Sequence, residues 1–385
     1  MPIYLDHAAT TPLAPDVLAS MMPYLTTEFG NASSVHAPGR MARFAIEDAR
    51  ARIAALLGAD DGEILFTSGA TEANNTALKG VLRAGDHLIT TLIEHEAILE
   101  PARALAKAGV LVTFLKPDAA GAVTLEQVQA ARRPETRMVS VMYVNNEIGS
   151  VSPIAAIGAW CKQEGLIFHT DAVQAMGLYA PQVDDLNVDL LSASAHKFYG
   201  PKGVGFLYIR GGIELQPFVH GGSQERKRRG GTESVAQVVG LVTALERVWA
   251  KAIAEQARLV DLRTRLVASW IQKSPVPFRF NTPLEHGLAA PHILSISFPP
   301  VHQKPFDGEM LLLNLDMAGV YVSSGSACTS GAIEPSHVLE ALGVPPETAD
   351  ATVRFSLGES TTWHDLEQAV EVLVHVLNKM QPASV

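Results

Sequence analysis

The chain has 385 residues, 47% of them hydrophobic and 18% charged, enough to bury a large core and, at roughly 100 to 200 residues per domain, to form two or three domains. Thirty Lys and Arg against 40 Asp and Glu leave a formal charge of −10, which argues against binding nucleic acid or an anionic membrane and favours small molecules as ligands. No stretch approaches the ~18 apolar residues of a membrane span, and MPIYLDHAATTP lacks the basic and apolar segments of a signal peptide, so a cytoplasmic protein is expected.

In chain order, residues 64 to 210 alternate short β-branched runs with helical patterns: ILFTS, HLITT, a helix around PARALAKAG, VLVTFL, a helix around LEQVQAARR, RMVSVMYV, a helix in IAAIGAWCKQEG, and LIFHTDA. Such alternation predicts parallel strands joined by crossover helices, an α/β sheet covered on both faces, with ligands gathered at the strands' carboxyl ends. A long helical stretch, GGTESVAQVVGLVTALERVWAKAIAEQARLVDLRTRLVASWIQ, follows. Residues 274 to 300 are rich in proline and turns. After them come ILSISF, a helix around EMLLLNLDMAG, VYVSSGSA, a helix around PSHVLEALG, ATVRFSLG and a final helix, the pattern of a second, smaller α+β domain beginning near residue 260.

Two cysteines cannot make a disulfide framework, nor alone the paired spacing of a structural zinc site, and no metal site is expected. Cys161 shares helical spacing with Ile154 and Ile157 and reads as a buried small hydrophobe. Cys328, in SSGSACTSG, sits among glycine and small residues with no apolar stripe to bury it, and asks for another explanation.

The chemistry-bearing segments lie at predicted strand ends. SASAHKFYGPKG puts His196 and Lys197 where a strand gives way to a glycine-rich turn, and LIFHTDAVQ puts Asp171 at the end of an apolar run, where a carboxylate normally needs a cationic partner. FTSGATEANN reads as strand, glycine turn and helix start, so backbone N–H groups around Gly69 to Thr71 can cradle a phosphate. Cradle, buried acid and strand-end lysine are together what pyridoxal phosphate requires: the lysine for a Schiff base, the acid for the pyridine nitrogen, the cradle for position. Neither nucleotide fingerprint, G-x-x-x-x-G-K-[ST] nor G-x-G-x-x-G between strand and helix, is present. Singly, these residues have blander readings. Lys197 alone reads as a solvated loop lysine, Asp171 as a helix N-cap, His95 as an exposed histidine near a strand end, and Asn145 and Asn146 as turn formers. Val353, Phe355 and Leu357 alternate on one face of ATVRFSLG and leave Arg354 on the other, mounted either for a carboxylate or for an ordinary surface ion pair.

The segments YLDHAATTP, FGNASSVH, FTSGATEANN, IEHEAIL, VNNEIG, HTDAVQ, SAHKFYGPKG, RRGGTES, SSGSACTSG and VRFSLG occur in this order in the NifS/IscS-type cysteine desulfurases, class V aminotransferase-like pyridoxal phosphate enzymes, and the chain resembles that family almost end to end. The resemblance implies fold type I: a large domain over 15–260 with a mainly parallel seven-stranded sheet between helices, and a smaller C-terminal α+β domain from 1–14 and 261–385 carrying a long, mobile cysteine loop at about 323–333. It implies that Lys197 holds the cofactor as a Schiff base, Asp171 pairs with the pyridinium nitrogen, Gln174 bonds the phenolic oxygen and His95 lies over the ring. Ala70, Thr71, Ser194 and His196 hold the phosphate, joined by Thr232 from the neighbouring subunit of a homodimer with shared active sites. Asn146 and Arg354 bind the substrate carboxylate, and Cys328 accepts the sulfur.

The implied reaction takes L-cysteine to L-alanine, with Lys197 as the base for the α-proton and His95 as a proton carrier, and leaves a persulfide on Cys328 for a sulfur acceptor or iron-sulfur scaffold protein. A loop of glycine and small side chains suits a thiol that must visit a pocket and then meet another protein. A free thiol has a pKa near ~8.5 and no basic residue flanks Cys328, so its activation must come from groups inside the pocket. Three alternatives compete. Selenocysteine lyases share such a site, an aminotransferase would need no cysteine, and RKRRGGTES, with Arg226, Lys227, Arg228 and Arg229, could mark a nucleic-acid-binding module, against the acidic charge of the whole chain. RRGGTES and SGAIEPSHV lean toward the nitrogenase-associated branch. The sequence ends at QPASV, which on the resemblance leaves out the C-terminal extension with which housekeeping members dock their scaffold.

Overall fold

The computed structural model describes residues 2–325 and 336–381. Runs of β-branched and aromatic residues too short for a helix become strands, numbered here in chain order. β1 is Ile3–Tyr4. β2 (Ile64–Thr67), β3 (His87–Thr91), β4 (Leu111–Leu115), β5 (Thr136–Ser140), β6 (Ile167–Asp171), β7 (Leu190–Ser194) and β8 (Gly205–Ile209) make one sheet, in the order β2-β8-β7-β6-β5-β3-β4. β9 (Arg279–Phe280), β10 (Ile293–Ser297) and β12 (Thr352–Ser356) make a three-stranded antiparallel sheet, and β11 (Val320–Tyr321) pairs in parallel with β1. The chain is an α/β protein with a mostly parallel seven-stranded central sheet.

Alternate residues of the central strands feed opposite faces, as the two-residue period requires. Phe66, Ile89, Val139, Phe168, Leu191 and Phe206 pack on one side with the helices Ala37–Leu57, Ile154–Glu164 and Val235–Trp249. Leu65, Leu88, Met138, Ile167, Leu190 and Leu207 pack on the other with Ala70–Val81 and Glu96–Lys107. A separate core surrounds the three-stranded sheet, where Leu294, Ile296, Val353 and Phe355 meet Trp270 of Ala252–Lys273, Leu373 and Leu377 of Trp363–Met380, and Ile3 and Leu5 from the N-terminus.

Sequence and structure differ in detail. The long helical stretch after GGTES comprises two helices, Val235–Trp249 and Ala252–Lys273, whose register is interrupted at Ala250 and Lys251. The helix around PARALAKAG starts earlier, at Glu96, with Pro101 inside its second turn. β12 is buried along its whole length, so Arg354 points into the molecule and the reading of a surface strand arginine is excluded.

The one antiparallel member of the large sheet sets up the site. β8 runs against both β2 and β7, and its first residue, Gly205, stands opposite Thr67 and Ser194. The carboxyl ends of β2 and β7 are thereby brought side by side. A Cβ on Gly205 would lie 2.3 Å from the Ala193 carbonyl oxygen and 2.9 Å from Gly69 Cα, so only glycine permits this approach.

Candidate active site

A cavity of about 1100 Å³ opens at the carboxyl ends of β2, β3, β5, β6 and β7, where a mainly parallel sheet gathers its loops. Ala70, Thr71, His95, Asn146, Asp171, Gln174, Ser194, His196, Lys197 and Arg354 all line it. Thr232 does not; it is exposed, on the loop after the Glu225–Lys227 turn. Cys328 lies outside the described residues, but Ser323 and Gly325 before it and His337 after it line the cavity.

Lys197 closes the short turn Ala195–Lys197 that follows β7. Its Nζ donates to the carbonyl oxygens of Ala8 at 2.6 Å and Ala9 at 2.7 Å. The N-terminal segment is pinned over this turn by Thr11, whose hydroxyl donates to the His196 carbonyl at 2.9 Å and accepts from Tyr199 N at 2.7 Å. Burial, aided by the positive charge of Arg354, pulls the Lys197 amine down to about 8. About a tenth of it is therefore unprotonated at pH 7, far more than for an ordinary lysine amine.

Asp171 ends β6 and is buried. Its Oδ2 accepts from Asn74 Nδ2 at 2.6 Å and its Oδ1 from Val173 N at 3.0 Å, which orients the carboxylate. Asn74 is itself fully buried on the helix Ala70–Val81. At the head of that helix Gly69 has φ +147°, a conformation closed to most side chains, and Ala70 and Thr71, whose first-turn N–H groups lack intrahelical acceptors, line the cavity with Ser194. His196 is held neutral, its pKa lowered to about 4 by burial and by Lys197, with Nδ1 3.1 Å from Thr10 Oγ1.

His95 caps the helix Glu96–Lys107, its Nδ1 accepting from Ala97 N at 3.0 Å. A neutral ring must then carry its proton on Nε2. The ring opens into the cavity yet is surrounded by protein walls, and the desolvation they impose lowers its pKa. Behind it Glu94 is fully buried, with Oε1 accepting from Thr91 Oγ1 at 3.0 Å and Met142 N at 2.9 Å. Burial, with the charge of Asp171 adding to it, pushes this carboxyl up to about 8.

Arg354 reaches in from β12. Its Nη1 donates to the Asn146 carbonyl at 2.7 Å and its Nη2 pairs with Asp6 Oδ1 at 2.8 Å, while among the described residues Nε has no partner. Gln174 Nε2 donates to the Ala8 carbonyl at 2.9 Å. Asn145 is a turn former, as its type suggests: its Oδ1 accepts from Glu147 N and Ile148 N at 2.9 Å each. Asp6, Asn74, Glu94 and the Ala8 and Ala9 carbonyls escaped the residue-level reading of the sequence. Asp6 sits in YLDHAATTP and Asn74 in FTSGATEANN, both quoted segments, so the signal was present without a role attached.

Two of the four cations of the basic run are paired with carboxylates within the chain. Arg226 pairs with Glu47 at 3.3 Å and Arg229 with Glu72 at 2.9 Å, which lowers the charge a nucleic-acid module would need, and Arg228 is held by the Gly62 carbonyl at 2.8 Å. Cys161 is buried and its thiol pushed up by desolvation, an inert setting. No helix among the described residues is long and apolar enough to cross a membrane.

The family profile described as Aminotransferase class-V matches residues 3–369. A cysteine desulfurase IscS of Dictyoglomus turgidum is 46% identical over 386 residues, covering 99% of this chain and 96% of that protein. Among solved structures, a NifS-like protein superposes with a TM-score of 0.90 at 35% identity over 98% of this chain and 100% of that one. SspA in complex with cysteine superposes with a TM-score of 0.80 at 38% identity over 92% of this chain and 98% of that one.

Proposed function

The chain belongs to the class-V aminotransferase family and is an enzyme of the cysteine desulfurase kind, acting on L-cysteine; on that premise we propose how its own residues divide the work. The residues present fit pyridoxal 5'-phosphate. A lysine amine brought near neutrality, a buried carboxylate with both oxygens oriented, and a helix start with glycine at its head converge on one cavity. Lys197 would hold the group covalently through Nζ, and Asp171 would face the ring nitrogen. Gln174 would meet the phenolic oxygen and His95 the ring face. Ala70, Thr71, Ser194 and His196 would receive the phosphate, with Asn146 close by. When bound, the cofactor supplies a ring that withdraws electrons from the substrate's α-carbon.

Arg354 and Asn146 receive the substrate carboxylate, which replaces Asp6 on a guanidinium already desolvated and aimed. Lys197 Nζ, unprotonated in part at neutral pH, takes the α-proton. His95, its free proton on Nε2, moves a proton within the cavity. The Cys328 thiolate attacks the substrate sulfur, so that L-cysteine and the enzyme thiol become L-alanine and an enzyme persulfide. Gly325, on the cavity wall, stands three residues before Cys328, and three residues of chain span at most about 11 Å, which tethers the thiol to the rim.

The observation that carries this reading is the low-pKa lysine and the oriented Asp171 in one cavity with a carboxylate-binding arginine. Incubation with L-cysteine should yield alanine and one added sulfur on Cys328 by mass spectrometry. Sulfur found mainly on Cys161, or turnover that needs a keto acid, would overturn it. Selenocysteine turned over in preference would make the enzyme a selenocysteine lyase.

The enzyme works as a homodimer in which Thr232 completes the partner's phosphate site. Thr232 is exposed and away from the cavity of its own chain, while Phe29, Val35 and Phe44 are 79%, 88% and 73% exposed, an apolar surface suited to a second copy. Heterodimers of Lys197→Ala with Thr232→Ala chains test this: both lesions fall in one site, and about half the activity returns. Activity no higher than in the parent mutants refutes the sharing. The persulfide passes to an acceptor or iron-sulfur scaffold protein, and a cytoplasmic setting follows because the acceptor thiol must stay reduced between cycles.

A further inference from the structure

Glu147 belongs to none of the roles above, yet three parts of the site meet on it. It is buried, directly after Asn146, whose carbonyl accepts from Arg354 Nη1 at 2.7 Å. Its backbone N–H donates to Asn145 Oδ1 at 2.9 Å, and Asn145 Nδ2 donates to the Ile93 carbonyl at 2.9 Å, two residues before His95. Its side chain lies between the two ends of the chain that carries Cys328. Gly325 lies beside it: a Cβ at 325 would sit in ordinary contact, 3.4 Å from Glu147 Cβ and 3.5 Å from Oε2. From the other end Ser336 Oγ donates to Glu147 Oε2, while accepting from Leu339 N at 3.1 Å as the cap of the turn His337–Ala341. Ser323, two residues before Gly325, is backbone-paired with Arg354, its carbonyl accepting from Arg354 N at 2.6 Å.

We propose that Glu147 is a positioning residue for sulfur transfer: hydrogen-bonded to Ser336 and adjacent to Gly325 beside the substrate arginine, it fixes the two described residues that flank the segment bearing Cys328. The proposal rests on the reading of Cys328 as sulfur acceptor. An acid serves here because it accepts from Ser336 where the walls exclude water. Burial raises the Glu147 pKa, opposed by the Ser336 hydrogen bond and by the charges of His337 and Arg354, and favours a neutral carboxyl, whose shape glutamine shares.

The test uses holoenzyme and two readouts. Hydrogen–deuterium exchange of the resting protein reads the anchor. Glu147→Ala should speed exchange over 320–325 and 336–342, and Glu147→Gln should leave it as in the wild type. Single-turnover mixing with L-cysteine reads the function. In Glu147→Ala, persulfide formation on Cys328 should fall about tenfold or more, the scale of one lost buried hydrogen bond, while the first spectral response to L-cysteine changes less than about twofold. Glu147→Gln should restore transfer. Ser336→Ala removes the same bond from the other end and should reproduce the split, which keeps the test decisive if Glu147→Ala fails to fold. Unchanged exchange, loosened exchange with normal transfer, or equal loss of both kinetic phases each overturns the proposal. A wild type that forms no persulfide sinks the desulfurase reading instead, and the exchange measurement still judges the anchor.

Discussion

Lys197 and Arg354 face the same cavity, one from the large sheet and one from the three-stranded sheet, and the protein treats the two cations in opposite ways. Lys197 is given neutral carbonyls, those of Ala8 and Ala9, and burial draws its pKa down to about 8 from the usual 10.5. Arg354 is given a carboxylate, Asp6, and a guanidinium keeps its charge under any such conditions. The first arrangement suits the base and nucleophile proposed for Lys197; the second suits the proposed role of Arg354 as a cation that receives an incoming carboxylate. The two are linked, because the charge of Arg354 is itself one of the influences that lower Lys197.

The largest break in this comparison is Lys197→Ala. Activity should fall by ~10³-fold or more, and the yellow colour of a protein-linked cofactor should vanish, while circular dichroism shows the fold retained. Borohydride trapping of the cofactor on another lysine would defeat the assignment. In the wild type, cofactor loading onto the apoprotein should accelerate as pH rises with a midpoint near 8, because the amine loses its proton there; a midpoint near 10.5 would show that the walls do not act on it.

Arg354→Ala should cost roughly 2 to 5 kcal/mol in L-cysteine binding, the loss of a desolvated charge pair, with the cofactor retained. It should also move the loading midpoint of Lys197 upward, since a positive neighbour is gone. Loss of the visible band with intact cysteine binding would mean that the arginine has been given the wrong partner. Asn74→Ala removes one hydrogen bond to the Asp171 carboxylate, worth roughly 1.5 to 3 kcal/mol for a charged acceptor, and should weaken cofactor retention by that amount in equilibrium dialysis.

Away from the two cations, an effect on stability alone belongs to Glu94, whose carboxyl is protonated up to about 8 although its ordinary value is 4.5. Between those limits the folded state holds a proton that the unfolded state has lost, so wild-type stability falls as pH rises through the window. Glu94→Gln, neutral throughout, escapes that loss. Its melting temperature relative to the wild type should therefore climb from pH 5 to pH 8 and then level off. A difference independent of pH would show that Glu94 is ionised in the fold.

Much of the floor of the cavity was legible in the sequence, because a strand end is a local event. ILFT followed by SGAT, LIFHTD followed by AVQ, and LLSAS followed by AHK each pass from a buried apolar run to polar residues, and the structure ends β2, β6 and β7 at those points. The family resemblance added roles that the residues alone left open, as for His95, whose N-capping of Glu96–Lys107 has no conspicuous local signal. The long helical stretch after GGTES is helical in the structure, but its break at Ala250 and Lys251 was not legible because apolar spacing continues across it although the backbone does not.

What the sequence by itself determined was the set of reactive groups and the sheet edge they share, since hydrophobic period and turn chemistry act over a few neighbouring residues. Only the tertiary structure decided what those groups touch. The Lys197 amine meets Ala8, 189 residues away, and Arg354 meets Asp6 at a separation of 348 and the Asn146 carbonyl at 208. Glu147 meets Ser336 across 189 residues. Such contacts leave no periodic trace in the chain, yet they set the field and the solvent exclusion at each group. The protonation of Lys197 and Glu94, and the pairing of Arg354, are properties of the packed site because desolvation and charge act through space rather than along the sequence.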